Sequence, residues 1–222
     1  MLIRSHDAAF DDEEWRAFLR EHDFGQLVAA GAGRAAPVIT PVHFVYDGEA
    51  TILLHLARAN PVLAALAENP VAVMAVIGAY TYIPTDWNAN PGELVEYGVP
   101  TSYYAAVQAT GVCEIIDDPE ALAAILRTQL AHFQPAGGHA PVTAGDTPYG
   151  RQLPAIRGVR LCITDVATDV RAKFKFGGNK TLAHQRAIAE HLQQRGAPFD
   201  SEARRHQLRR LEHKASSQAA RR

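Results

Sequence analysis

The sequence is poor in cysteine, with only Cys113 and Cys162 in 222 residues, which excludes a disulfide-dense scaffold. Both stand in apolar, strand-like text and read as reduced, buried small hydrophobes, as expected of a cytoplasmic protein. Long apolar runs are missing too. No segment approaches the roughly 20 residues needed to cross a bilayer, and the opening MLIRSHDAAFDDEEW has no apolar core for a secretory leader. No membrane role is expected. The motifs of several large enzyme classes are also absent: the Gly-x-x-x-x-Gly-Lys-Ser/Thr phosphate loop, Gly-x-Gly-x-x-Gly after a strand, His-Glu-x-x-His and Gly-x-Ser-x-Gly. The ten histidines form no metal-ligand pattern, so no metal site is expected. No side chain declares itself catalytic.

What is present describes an ordinary globular chain, 47% hydrophobic and 21% charged. The charge is unevenly spread. Residues 201–222 carry seven Arg or Lys against Glu202 and Glu212, a local +5, which leaves −7 on the first 200 residues of a chain whose net charge is −2. Such a tail suits either a polyanion partner or a solvated helix end. The expected organisation is one domain over 1–200 followed by a basic helix or tail over 201–222.

Periodicity and turn residues predict a short helix over 11–22, then strands over 25–30, 37–46 and 51–56, the last two joined at Asp47-Gly48. Three such strands in succession predict an antiparallel meander. A short helix follows Asn60-Pro61. The nearly continuous apolar run 71–79 predicts a strand buried on both faces, at the centre of the sheet or in an interface. After a long loop over 84–100, a strand over 103–116 leads to a helix capped by Asp118 with Pro119 at its first position. Residues 134–148, rich in Gly, Pro and His, read as a mobile excursion. Strands over 158–166 and 169–176 and a helix over 181–195 complete the body, and Asp200 or Ser201 is the expected cap of a final helix ending near Lys214. The fold class is α+β, mainly β.

Four segments could carry chemistry. His55-Leu-Ala-Arg58-Ala59-Asn60-Pro61 sits where a strand meets a helix N-terminus, whose free N–H groups and positive dipole end suit a phosphate. Arg58 could add a bidentate contact, and Asn60 is either a cap or a donor; an ordinary turn with a surface Arg reads as well. Tyr80, Tyr82 and Trp87 leave a strand end and could wall a flat ring or simply pack. Thr101 to Tyr104 closes the same loop. Lys173-Phe-Lys175-Phe-Gly177-Gly178-Asn179-Lys180 places two lysines on one strand face, which can meet an anion or guard a sheet edge.

In this order and spacing, the four segments resemble the PaiB family of FMN-binding negative transcriptional regulators over residues 2–196. The resemblance implies an FMN-binding split barrel with peripheral helices and a C-terminal helix, related to pyridoxamine-phosphate oxidase-like flavoproteins. It also implies a homodimer with FMN at the interface. Carried over, the phosphate falls to Arg58, Ala59 and Asn60, and His55, Thr40 and Tyr82 become candidates for the flavin ring or ribityl chain. Three stretches depart from the family pattern. Thr40-Pro41-Val42-His43 replaces Thr-His-Leu-Pro, Ser102-Tyr103 replaces Trp-Asn, and Phe176-Gly177-Gly178 replaces Leu-Ser-Gln. The resemblance implies a repressor that could touch DNA through its basic tail; the alternative is an FMN-dependent oxidoreductase acting on a small molecule.

Overall fold

The computed structural model describes residues 1–90 and 92–220. In chain order the elements are α1 (Asp12–Glu21), β1 (Phe24–Ala29), β2 (Val38–His43), β3 (Val45–Tyr46), β4 (Thr51–Ala57), α2 (Pro61–Glu68), β5 (Val71–Ile83), α3 (Thr85–Asn88), β6 (Thr101–Ile116), α4 (Pro119–Phe133), α5 (Tyr149–Gln152), β7 (Ile156–Cys162), α6 (Val166–Asp169), β8 (Val170–Lys175), α7 (Leu182–Arg195) and α8 (Asp200–Ala219). They fall into two compact units, one of residues 13–76 and 107–171 and one of residues 1–12, 77–106 and 172–222. We call them the barrel unit and the helical unit. The fold is α+β, mainly β.

In the barrel unit the strand order is β2-β1-β5-β6-β7-β4-β3. Its two ends, β2 and β3, are separated in the chain by Phe44 alone, so the outer strands are tethered together and the sheet curls on itself. Phe44 is fully buried, and its N–H donates to the Asp23 carbonyl at 2.8 Å. This corrects the meander: β2 pairs with β1 (Leu27 opposite Thr40), while β3 pairs with β4 (Tyr46 opposite Ile52). The Asp47-Gly48 turn forms as expected, with Asp47 Oδ1 accepting from the N–H groups of Glu49, Ala50 and Thr51. Alternation sets the core. Ile52, Leu54 and Leu56 of β4, Val42 of β2, Leu27 of β1 and Met74 of β5 are buried on one side, each stabilising by about 1.5–3 kcal/mol.

The strand over Val71–Ile83 is buried on one face only, not two. Its inward residues Ala72, Met74 and Val76 alternate with Val71, Val73 and Ala75, and Val71 is exposed. The strand is central, between β1 and β6, and its apolar composition marks an outer face that is apolar and partly exposed. The excursion over 134–148 is also better anchored than its composition suggests. Val142 is buried with Leu122, Ile125 and Leu153, and its carbonyl accepts from Arg127 at 2.8 Å.

In the helical unit β8 pairs with β6, and α7 packs along α8. Thr181 caps α7 by accepting from the His184 N–H. The expected cap of α8 is not formed. Phe199, in the left-handed region, precedes the helix, and Asp200 turns its carboxylate to Thr81, Arg195 and the Ala197 N–H, all at 2.6–2.9 Å. The helix runs past Lys214 to Ala219 because its basic residues are tied down. Arg204 donates to the Ala189 carbonyl, Arg210 to that of Ala8, and Lys214 to those of Gly178 and Lys180. Among the described residues no helix is long and apolar enough to cross a membrane.

Candidate functional site

The strand-to-helix turn after β4 folds as its sequence requires. Pro61 at the first helical position has no N–H to satisfy, and Asn60 caps the next one, its Oδ1 accepting from Val62 N–H at 3.0 Å. The same oxygen accepts the Thr40 hydroxyl at 3.2 Å, so two predicted site residues meet. Four main-chain donors at this turn are spoken for, that of Val62 among them. Leu63 N–H bonds the Asn60 carbonyl, Asn60 N–H that of Ala57, and Arg58 N–H that of Ala155. The turn is therefore a self-capped helix start. Ala59 and Arg58 are exposed, and the Arg58 guanidinium has no hydrogen bond or ion pair among the described residues. It opens on a hollow of about 280 Å³ shared with Arg157 and Asp117.

His55 faces elsewhere. On β4 the buried residues are Ile52, Leu54 and Leu56, and on β2 they are Thr40 and Val42. With a period of two, His55 and His43 lie on the outer face while Thr40 lies on the inner one. The structure thus brings Thr40 to Asn60 and His55 to His43, as two pairs on opposite sides of the barrel wall. Tyr82 belongs to the helical unit and is half exposed; its carbonyl accepts from Arg195 at 2.9 Å. His43 was overlooked as a site residue because sequence placed it in a departure from the family pattern. Exchanging His and Pro between positions 41 and 43 moves the imidazole by two residues, which keeps it on the same outer face.

Helix α4 covers this outer face. Asp118 starts it by accepting from Ala121 N–H at 2.8 Å. Gly158, opposite His55 in the ladder, lets it approach: a Cβ there would lie 2.5 Å from Ile125 Cδ1. Leu122, Ile125 and Gln129 form its buried stripe. Gln129 Oε1 lies 2.5 Å from His55 Nδ1, a contact across 74 positions with no signal in the sequence. The residues that follow the same helical spacing, Leu126, Leu130 and Phe133, wall a cleft of about 560 Å³ closed by Tyr149 and Ile156, with His43 and His55 at its base. The imidazoles pack edge-on at 5.3 Å, and Phe133 stands edge-on to His43 at 5.1 Å.

The cleft has distinctive electrostatics. Burial, and then the neighbouring His55, hold the His43 imidazole below its ordinary pKa, against a smaller opposite pull from Asp23. A hydrogen bond from His55 Nδ1–H to Gln129 would leave His55 Nε2 as an acceptor. Gln129 itself is 3% exposed, and its Nε2 has no hydrogen-bond partner among the described residues. A buried amide left half unsatisfied costs about 1–3 kcal/mol, so its retention calls for an occupant. An isoalloxazine ring has one apolar edge and one polar edge lined with acceptors and a donor. The leucines and phenylalanine match the first, and Gln129 and the imidazoles match the second. The residues present fit a flavin ring, with Arg58 and Arg157 the cations available to a phosphate. Among the described residues, no group of three or more His, Cys, Asp or Glu could hold a metal ion.

Residues 1–165 match the family model described as "Putative FMN-binding domain". No curated protein matches by sequence. Among solved structures, the FAD and heme binding protein from Mycobacterium smegmatis is 20% identical, with a TM-score of 0.57 over 76% of this chain and 73% of that one. The flavocytochrome Anf3 from Azotobacter vinelandii is 19% identical, with a TM-score of 0.54 over 76% and 69% of the two chains. At such identities the likeness shows a shared fold.

Proposed function

The chain belongs to the FMN-binding domain family of split-barrel proteins, and from that premise we propose that it holds FMN in the His43–His55–Gln129 cleft and uses it to oxidise or reduce a small molecule. The observation that carries the reading is the orphaned Gln129 amide beneath an apolar cleft with imidazoles at its base. Arg58 is assigned to the phosphate, with Asn60 and Ala59 shaping the turn that presents it and Thr40 holding Asn60 in place. His55 is assigned to the ring. When bound, the flavin supplies the electron transfer, which leaves the protein to bind, orient and exclude water. Leu126, Leu130, Phe133 and Ile156 exclude water. Gln129 fixes the His55 ring, and His43, whose charged form is disfavoured by burial and by His55, is suited to accept a proton.

The working form in this reading is a homodimer. Its support is the outer face of β1 and β2, where Phe24 and Ile39 are exposed by 62% and 55%. Transcriptional regulation through DNA contact by residues 201–222 is the alternative. It has less support, because Arg204, Arg210 and Lys214 already donate to main-chain carbonyls.

NAD(P)H consumption by the full-length protein, with and without added FMN, tests the redox role. The proposal expects oxidation that requires FMN and falls at least tenfold in His55→Ala. No FMN-dependent oxidation, together with retention on DNA that falls steeply with salt and is weakened by Arg209→Glu, would favour the regulatory reading instead.

A further inference from the structure

The helical unit has a cavity of its own, about 560 Å³, to which Arg4, Tyr103, Lys173, Lys175, Gly177 and Lys180 contribute. Four cations line it against one carboxylate, Asp7, and the imidazole of His6. Asp7 is already committed near Lys173: Lys173 Nζ lies 3.9 Å from its Oδ2 and donates to the Leu2 carbonyl at 3.0 Å. Arg4, Lys175 and Lys180 have no ion pair among the described residues. Lys175 points its ammonium at the Thr101 hydroxyl, 2.7 Å away, and gains no charge compensation from it.

A lysine pair on an edge strand ordinarily serves to block strand addition from solvent. Three features argue for more here. Lys175 is half-buried, and burial, then Lys173 and Arg4, press its pKa below the usual lysine range against the pull of Asp7. An incoming anion would relieve that pressure. The Tyr103 hydroxyl lines the same cavity, 2% exposed and without a hydrogen-bond partner among the described residues. Finally, Gly177 makes room for that hydroxyl, since a Cβ at this position would lie 2.2 Å from it. The cavity therefore combines uncompensated positive charge, a spare buried hydroxyl and a chain reversal that leaves both in place.

We propose that this cavity binds a small organic phosphate, held by Arg4, Lys175 and Lys180 with Tyr103 as a neutral hydrogen-bonding partner. A phosphate dianion answers several cations with several acceptor oxygens, and the volume lies in the range of small-molecule sites. The residues are gathered in a cavity rather than spread along a surface, which suits a compact anion better than a nucleic acid backbone. The site lies outside the flavin cleft and does not depend on it.

Isothermal titration of the full-length protein with sodium pyrophosphate at low salt tests the proposal. Wild type should bind. Lys175→Gln and Lys180→Gln should each weaken binding at least tenfold, Tyr103→Phe severalfold, and Arg209→Gln, exposed on α8, not at all. Thermal melting of each variant checks folding, and Lys180→Gln, on the turn, keeps the test open if Lys175→Gln does not fold. The affinity should be the same with FMN at saturation. No binding by wild type at millimolar pyrophosphate, or equal binding by the lysine variants, would overturn the proposal. So would competition by FMN, which would assign the cavity to the phosphate of the flavin itself.

Discussion

Gln129 Oε1 sits 2.5 Å from His55 Nδ1, while the Nε2 of the same amide has no hydrogen-bond partner among the described residues. A side chain kept for stability alone would be better replaced by leucine, since removing an orphaned buried donor relieves its desolvation cost. Gln129→Leu should therefore leave the thermal midpoint unchanged or raise it, while weakening FMN binding at least fivefold. Calorimetric melting and flavin fluorescence, measured on the same sample, check both halves. Lost stability with unaltered flavin affinity would make Gln129 structural.

The imidazole of His43 has a pKa below 6.5 in the folded chain. Between that value and 6.5 the unfolded chain binds a proton that the native state refuses, so stability rises with pH across the window and is fully present above it. His184, pushed down by burial and then by Lys180, acts in the same direction. Urea unfolding should give a lower stability at pH 5 than at pH 7.5. The His43→Gln variant should show a smaller difference between the two, and an undiminished difference would contradict the assignment.

Asp200 is fully buried. Burial opposes its ionisation, but hydrogen bonds from Arg195, Thr81 and Ala197 N–H hold its carboxyl below the ordinary range. Its contribution is present above the usual aspartate pKa and is lost as pH falls through the lowered value. Because Arg195 is 30% exposed, the ion pair is partly screened. Asp200→Ala, which strands Thr81 and Arg195, should cost about 1–3 kcal/mol in urea unfolding at pH 7.

Gly177 has φ +71° and abuts the Tyr103 hydroxyl. Gly177→Ala adds left-handed strain to a steric clash and should destabilise by about 1–3 kcal/mol. In the Tyr103→Phe background part of that loss should return, because the clashing oxygen is gone. Thermal melts of the two single variants and the double variant read the coupling.

Local chemistry was the legible part of this chain. Asn60-Pro61, Asp118-Pro119 and Asp47-Gly48 each form the cap or turn their residues dictate, because the partners lie within four residues. The apolar run at 71–79 marked a central strand, between β1 and β6, but not its burial, since composition cannot tell a doubly buried strand from one whose outer face is partly exposed and apolar. The two-residue strand β3 was hidden for a similar reason: Phe44 interrupts a continuous strand pattern only because the barrel turns there. At the site, the resemblance pointed to Arg58, Asn60, His55 and Thr40, and period two alone could have separated His55 from Thr40. Gln129 and Phe133 were out of reach, since their meeting with His55 and His43 depends on α4 crossing the sheet at Gly158.

In the proposed function the barrel unit grips FMN through its phosphate as well as its ring. Fluorescence titration of the apo-protein with FMN and riboflavin side by side, in wild type and Arg58→Ala, tests it most directly. FMN should bind at least tenfold tighter than riboflavin in wild type, with the preference largely lost in Arg58→Ala, a difference of about 1.4 kcal/mol or more. Equal affinity for the two flavins, or a preference for FMN untouched by Arg58→Ala, would contradict it.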